Sequence, residues 1–151
     1  MLEEIYNYLS LSDSIATAGQ PTEEQIAAIA ENGYEVVINL GLADTEYALK
    51  NEGALVRTRG MQYIHLPVIW ERPTKPDLER FFKVMEANQN KKVFVHCAAN
   101  MRVSSFIALY RILRLGWPEE KAFEQVKRIW IPNDTWQIFI DESLKHAGPD
   151  S

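Results

Sequence analysis

The chain has 151 residues, a formal net charge of −5, 46% hydrophobic and 25% charged residues. That length fits one domain with a full core and argues against two, and the acidic balance argues against a general nucleic-acid binder, which needs excess Lys and Arg to displace counterions. Charge is uneven, with 5 basic and 11 acidic groups in residues 1–75 against 11 and 10 in residues 76–151, so the second half tolerates an anion better than the first.

The opening MLEEIYNYLS has neither the basic start nor the apolar core of a signal peptide, and no run elsewhere approaches the roughly 18 apolar residues of a membrane span. A cytoplasmic protein without a membrane partner is expected. SIATAGQ predicts a short first strand. Thr22, with Gln25 three residues on, forms a capping box for a helix running to about Asn32, where Gly33 stops it. EVVINL is short, β-branched and apolar, the pattern of a buried strand. Asp44 is placed to cap a short second helix ending at Gly53.

MQYIHLPV predicts a strand that enters the loop IWERP, and His65, alternating with Ile64 and Leu66, reads as a structural histidine. Thr74 and Asp77 make a second capping box, opening a helix with Leu78, Phe81, Phe82 and Met85 on one face. KKVFVHC is the clearest buried strand. RVSSFIALYRILRLG has helical spacing up to Gly116, and two more helices are expected at about 118–129 and 134–145, with Asn133 and Asp134 turning the chain and capping the last. Trp70, Trp117, Trp130 and Trp136 are assigned to core or cleft walls.

No repeat or linker interrupts this order, so one domain is expected over 1–147 with a flexible tail at 148–151. Strands alternating with helices predict an α/β fold, a mostly parallel sheet of four to five strands flanked by helices, with ligands gathering beyond the carboxyl ends of the strands. Cys97 lies at such an end. It is the sole cysteine, so it forms no internal disulfide and, without neighbouring Cys or spaced His, makes a poor metal site; no metal or other cofactor is expected. It is either an inert core thiol or a reactive one.

The stretch VFVHCAANMRVSSF sets the second alternative out. A thiol at a strand end is followed by four loop residues, an arginine and the first turn of a helix. Inward-pointing loop amides make a nest for an anion, and the helix N-terminus adds unpaired N–H groups and a positive dipole end. Cysteines in such settings can have a pKa lowered from about 8.5 to roughly 3.5–7.5, which supplies a nucleophile at neutral pH. Arg102 carries a planar fork suited to two oxygens of a phosphate. Asn100 tolerates the left-handed backbone a tight loop needs, and Ala98 and Ala99 leave room for a ligand.

These residues resemble the signature of the protein-tyrosine and dual-specificity phosphatase superfamily: His96-Cys97 at a strand end, a phosphate loop, Arg102, and a following hydroxyl residue, Ser104 or Ser105. The resemblance extends to VVINL and YIHLPV, similar to that family's second and third strands, and to LGWPEEKAFEQVKRIWIPNDTWQIFI, similar to its last two helices. The GQPTEEQ start resembles a bacterial, uncharacterised branch of that superfamily. It implies a phosphotyrosine phosphatase-like fold and a metal-free phosphomonoester hydrolase acting through a cysteinyl-phosphate. Its partner would be a phosphorylated protein or a small phosphomonoester. Ala98, Ala99, Asn100, Met101 and Val103 would bind phosphate, and His96 and Ser104 would support the thiolate.

Two departures from the family pattern leave alternatives open. The family loop has five residues between Cys and Arg and this chain has four, so either Arg102 still turns inward or Val103 occupies the arginine's place. A four-residue gap is also that of rhodanese-type sulfurtransferases, and a cradle with a misplaced Arg or acid would bind phosphate without turnover. Where the family carries its aspartate general acid, this chain has Trp70; Glu71 beside it is the candidate acid and Asp77 the alternative.

Overall fold

A computed structural model describes residues 2–145; the tail assigned to 148–151 lies outside them. The five-stranded sheet has the order β1-β2-β5-β3-β4. Its strands are β1 (Leu9–Ser10), β2 (Ile15–Ala18), β3 (Val36–Asn39), β4 (Gln62–His65) and β5 (Val93–His96). β1 pairs antiparallel to β2 and the other pairs are parallel. The single-domain, mostly parallel α/β architecture expected from the sequence is what the chain adopts.

Two faces of helices follow from the period-two alternation of β5. Val93 and Val95 join Leu78, Phe81, Phe106 and Trp136 in a core under α3 (Lys75–Ala87), α4 (Met101–Leu113) and α6 (Asp134–Lys145). Phe94 turns the other way, to Ile26, Ile29 and Val56 of α1 (Glu23–Glu31) and α2 (Glu52–Thr58). α5 (Glu119–Lys127) packs on α4 through Ala122 and Val126 against Ala108. Full burial of a side chain such as Phe81 or Phe106 contributes about 1.5–3 kcal/mol.

Local signals place most boundaries. Both capping boxes form, Thr22 with Gln25 and Thr74 with Asp77, and Gly33 adopts φ +87° after α1. Asn133 Oδ1 accepts from the Trp136 amide at the start of α6. One expectation is corrected. No helix runs from Asp44 to Gly53; residues 43–51 form an irregular loop, and α2 begins at Glu52, close to where a helix was expected to end. Glu52 is 4% exposed and tied to His96, so a contact distant in sequence sets where the helix starts.

Candidate active site

β5 is flanked on both sides, by β2 and β3, and His96 at its end pairs in register with Ala18 and Asn39. The chain therefore leaves the centre of the sheet at Cys97, which sits 1% exposed at the base of a cleft of about 1050 Å³. Ala98, Ala99, Met101, Arg102, Trp70 and Glu71 line the same cleft. Leu42, Tyr47 and Leu49 from the 43–51 region and Tyr6 from the N-terminal segment extend its walls.

The loop after Cys97 is held from outside by its carbonyls. The Cys97 carbonyl lies 3.3 Å from His96 Nδ1, Gln20 N donates to the Ala98 carbonyl at 3.0 Å, and Asn7 Nδ2 donates to the Ala99 carbonyl at 2.9 Å. A planar trans peptide sets each carbonyl opposite the next N–H, so the first two contacts turn the Ala98 and Ala99 amides to the inner side of the loop. Asn100 follows at φ 64°, the left-handed turn expected of it, and its buried Nδ2 donates to Asn7 O and Thr17 Oγ1. α4 begins immediately after. Among the described residues, neither the Ala98 and Ala99 amides nor those of Met101, Arg102 and Val103 in the first helical turn have a hydrogen-bond partner. Unpartnered donors at a positive dipole end are suited to an anion.

Arg102 turns inward despite the four-residue gap. It is 8% exposed, donates from Nη1 to the Val68 carbonyl at 2.8 Å and lies over the Trp70 ring. Val103 is sealed in the core at 0% exposure, so its side chain neither occupies the arginine's place nor reaches the cleft.

The remaining candidates divide. Glu71 is exposed at the rim of the cleft. Asp77 is outside it and engaged, accepting from Thr74 N and pairing with Arg80. Ser104 is buried and donates its hydroxyl to the Met101 carbonyl at 3.0 Å, as Ser105 does at 3.1 Å; this bond within α4 occupies the proton that was expected to face the thiolate. His96 faces the α1–α2 side, where its Nε2 meets Glu52 Oε2 at 2.6 Å. Glu52 Oε1 accepts from Gln20 Nε2 at 2.8 Å. Burial pushes the Glu52 carboxyl up, but the His96 hydrogen bond and charge, with help from Gln20, outweigh it and the net shift is downward. His65 meets Gly41 O at 2.6 Å, the structural part expected of it.

Four residues around the loop were not anticipated: Asn7, Thr17, Gln20 and Glu52. For Asn7 the only signal in the sequence is asparagine's tolerance of the left-handed backbone, which it adopts at φ 52°; Glu52 carried none, because its partners are 32 and 44 residues away in the chain.

A strand-loop-helix seat with a thiol beneath it and an arginine folded over it, on this sheet order, defines a member of the cysteine-dependent protein-tyrosine and dual-specificity phosphatase superfamily. More narrowly, the chain belongs to the family described as DSP-PTPase phosphatase fused to NAD+ kinase, whose model matches residues 7–134. A DUF442 protein from Shewanella putrefaciens is similar, with a TM-score of 0.88, 31% identity and 97% of each chain covered. PTPMT1, in a structure of its complex with PI(5)P, shares the fold at a TM-score of 0.75 and 18% identity, over 93% of this chain and 96% of that one. A beta-lactamase hydrolase-like protein from Xylella fastidiosa is 27% identical over 108 residues, 70% of this chain. The chain spans 25% of the length of that relative.

Proposed function

We propose that the chain is a cysteine-dependent phosphomonoesterase. In this reading the substrate phosphate enters the seat with its oxygens on the inward amides and the Arg102 fork, and the Cys97 thiolate attacks phosphorus. The P–O ester bond breaks as the S–P bond forms, and Glu71 gives its proton to the leaving oxygen. Water then attacks the cysteinyl-phosphate, returns a proton to Glu71, and releases inorganic phosphate and the thiolate. No step calls on a metal. The cleft has room for an ester much larger than phosphate itself, which suits a phosphorylated protein or a phosphorylated small molecule.

The observation that carries the proposal is the position of Arg102, folded inward to Val68 while sharing the Cys97 cleft. Sulfur transfer rests on loop length alone, whereas the family match over residues 7–134 and the similarity along the whole chain support the phosphatase reading. The test is hydrolysis of an aryl phosphate by the full chain and by Cys97→Ser, with intact-mass detection of a phosphoryl adduct on the parent protein. Loss of both turnover and adduct in the variant is expected. Equal rates in the two proteins would sink the proposal, and thiosulfate-to-cyanide transfer that depends on Cys97 would replace it.

A further inference from the structure

Glu52 lies on α2, across the sheet from the core that α3, α4 and α6 cover, and it does not line the cleft. Yet both of its carboxylate oxygens serve residues that grip the anion loop. Oε2 meets His96 Nε2 at 2.6 Å, and the other ring nitrogen lies 3.3 Å from the Cys97 carbonyl. Oε1 accepts from the Gln20 side chain at 2.8 Å, and the Gln20 backbone N–H holds the Ala98 carbonyl. The two carbonyls whose direction turns the Ala98 and Ala99 amides inward are thus the two that one buried carboxylate reaches through one intermediary each.

We infer that Glu52 is the positioning residue of the anion loop, acting on the Cys97 and Ala98 carbonyls through His96 and Gln20 without touching the ligand. A carboxylate can only accept, so His96 Nε2–H donates in the 2.6 Å contact with Glu52, a charge-assisted bond that fixes the ring beside the Cys97 carbonyl, directly behind the residue that bears the thiol. A purely structural pair of the same burial would support the sheet end without changing how the loop holds an anion.

The effect on turnover rests on the phosphatase reading above; the effect on phosphate binding does not. Glu52→Leu fills the space but offers no acceptor, so the contacts to His96 and Gln20 are both lost, whereas Glu52→Gln can keep both, its oxygen accepting from Gln20 and its amide donating to His96 Nε2. Calorimetry with inorganic phosphate is expected to give binding about tenfold weaker in Glu52→Leu, the size of one lost charge-assisted hydrogen bond, and largely restored in Glu52→Gln. With an aryl phosphate, kcat/KM is expected to follow the same pattern.

Unchanged phosphate affinity in Glu52→Leu overturns the inference, as does a loss in Glu52→Leu that Glu52→Gln shares in full. If Glu52→Leu does not fold, Gln20→Leu removes one of the two arms and is expected to weaken phosphate several-fold; unchanged affinity there overturns it equally. A parent protein that hydrolyses nothing while Glu52→Leu still loses phosphate affinity refutes the phosphatase reading and supports this one.

Discussion

Gly19 and Ala98 meet backbone to backbone at the edge of the anion loop: a Cβ on Gly19 would stand 2.7 Å from the Ala98 carbonyl oxygen, closer than real side chains come. The carbonyl is already fixed by the Gln20 amide, so it has little freedom to retreat. The absent side chain at residue 19 lets the end of β2 brace the loop.

Gly19→Ala should therefore act on the loop as well as on stability. Overpacking of this kind costs about 1–3 kcal/mol, readable as a lower urea midpoint. Because the crowded atoms are the Ala98 carbonyl and the Tyr6 ring, both at the cleft, phosphate affinity should fall in the same variant. Wild-type affinity alongside a lowered midpoint would count against this contact as a brace of the seat.

Arg102→Lys separates charge from geometry. The guanidinium donates to the Val68 carbonyl and still has donors for an anion, whereas a lysine ammonium is a point charge that cannot supply the same planar fork. Phosphate and sulfate binding should weaken at least about tenfold, the loss of one charge-assisted bond. Titration calorimetry measures this directly, and unchanged affinity would count against Arg102 as the oxyanion clamp.

Most of the frame could be read locally. Thr22 with Gln25 and Thr74 with Asp77 are capping boxes whose bonds span three residues, and the β-branched runs of β3 and β5 need no knowledge of their neighbours. Asn100 could be placed in a left-handed turn because that preference is intrinsic. The direction of Arg102 could not be read from spacing, since it depends on a carbonyl 34 residues upstream. The 43–51 loop was misread for the same kind of reason: Asp44 is an adequate cap in isolation, and the contact that fixes the helix start belongs to Glu52 and a strand end far along the chain. The two-residue β1 is too short for any periodicity to reveal.

Glu71→Gln tests the acid. Glu71 is at the cleft rim with Cys97 below, whereas Asp77 is occupied by Thr74 and Arg80. An acid matters most when the leaving group is a poor one, so turnover of alkyl phosphates should fall by about a hundredfold or more while an activated aryl phosphate changes little. Asp77→Asn keeps an acceptor for the Thr74 amide but loses the first-turn charge and the Arg80 pair, so it should cost about 0.3–1 kcal/mol of unfolding free energy and spare the leaving-group dependence. If the selective loss appears in Asp77→Asn instead, the acid has been misassigned.

The Glu52–His96 pair predicts a pH dependence of stability with a definite sign. The groups that act on the carboxyl are burial, which raises its pKa, then His96, Gln20 and the charge of His65, which lower it and win. Its folded pKa therefore lies below its ordinary value of 4.5, the native state binds fewer protons than the unfolded one there, and stability increases with pH through that window. The contribution is complete above the ordinary carboxylate range and is lost as pH falls from about 4.5 downward. Breaking a buried pair by removing one partner costs about 3–5 kcal/mol, and an isosteric amide that keeps an acceptor should sit at or below the lower end. Urea unfolding of the parent protein and Glu52→Gln should accordingly show a gap of about 2–3 kcal/mol near neutrality that narrows in acid, because protonation does to the parent what the substitution has already done. A gap of constant size from about pH 7 to about pH 3 would show that ionised Glu52 is not what joins α2 to the end of β5.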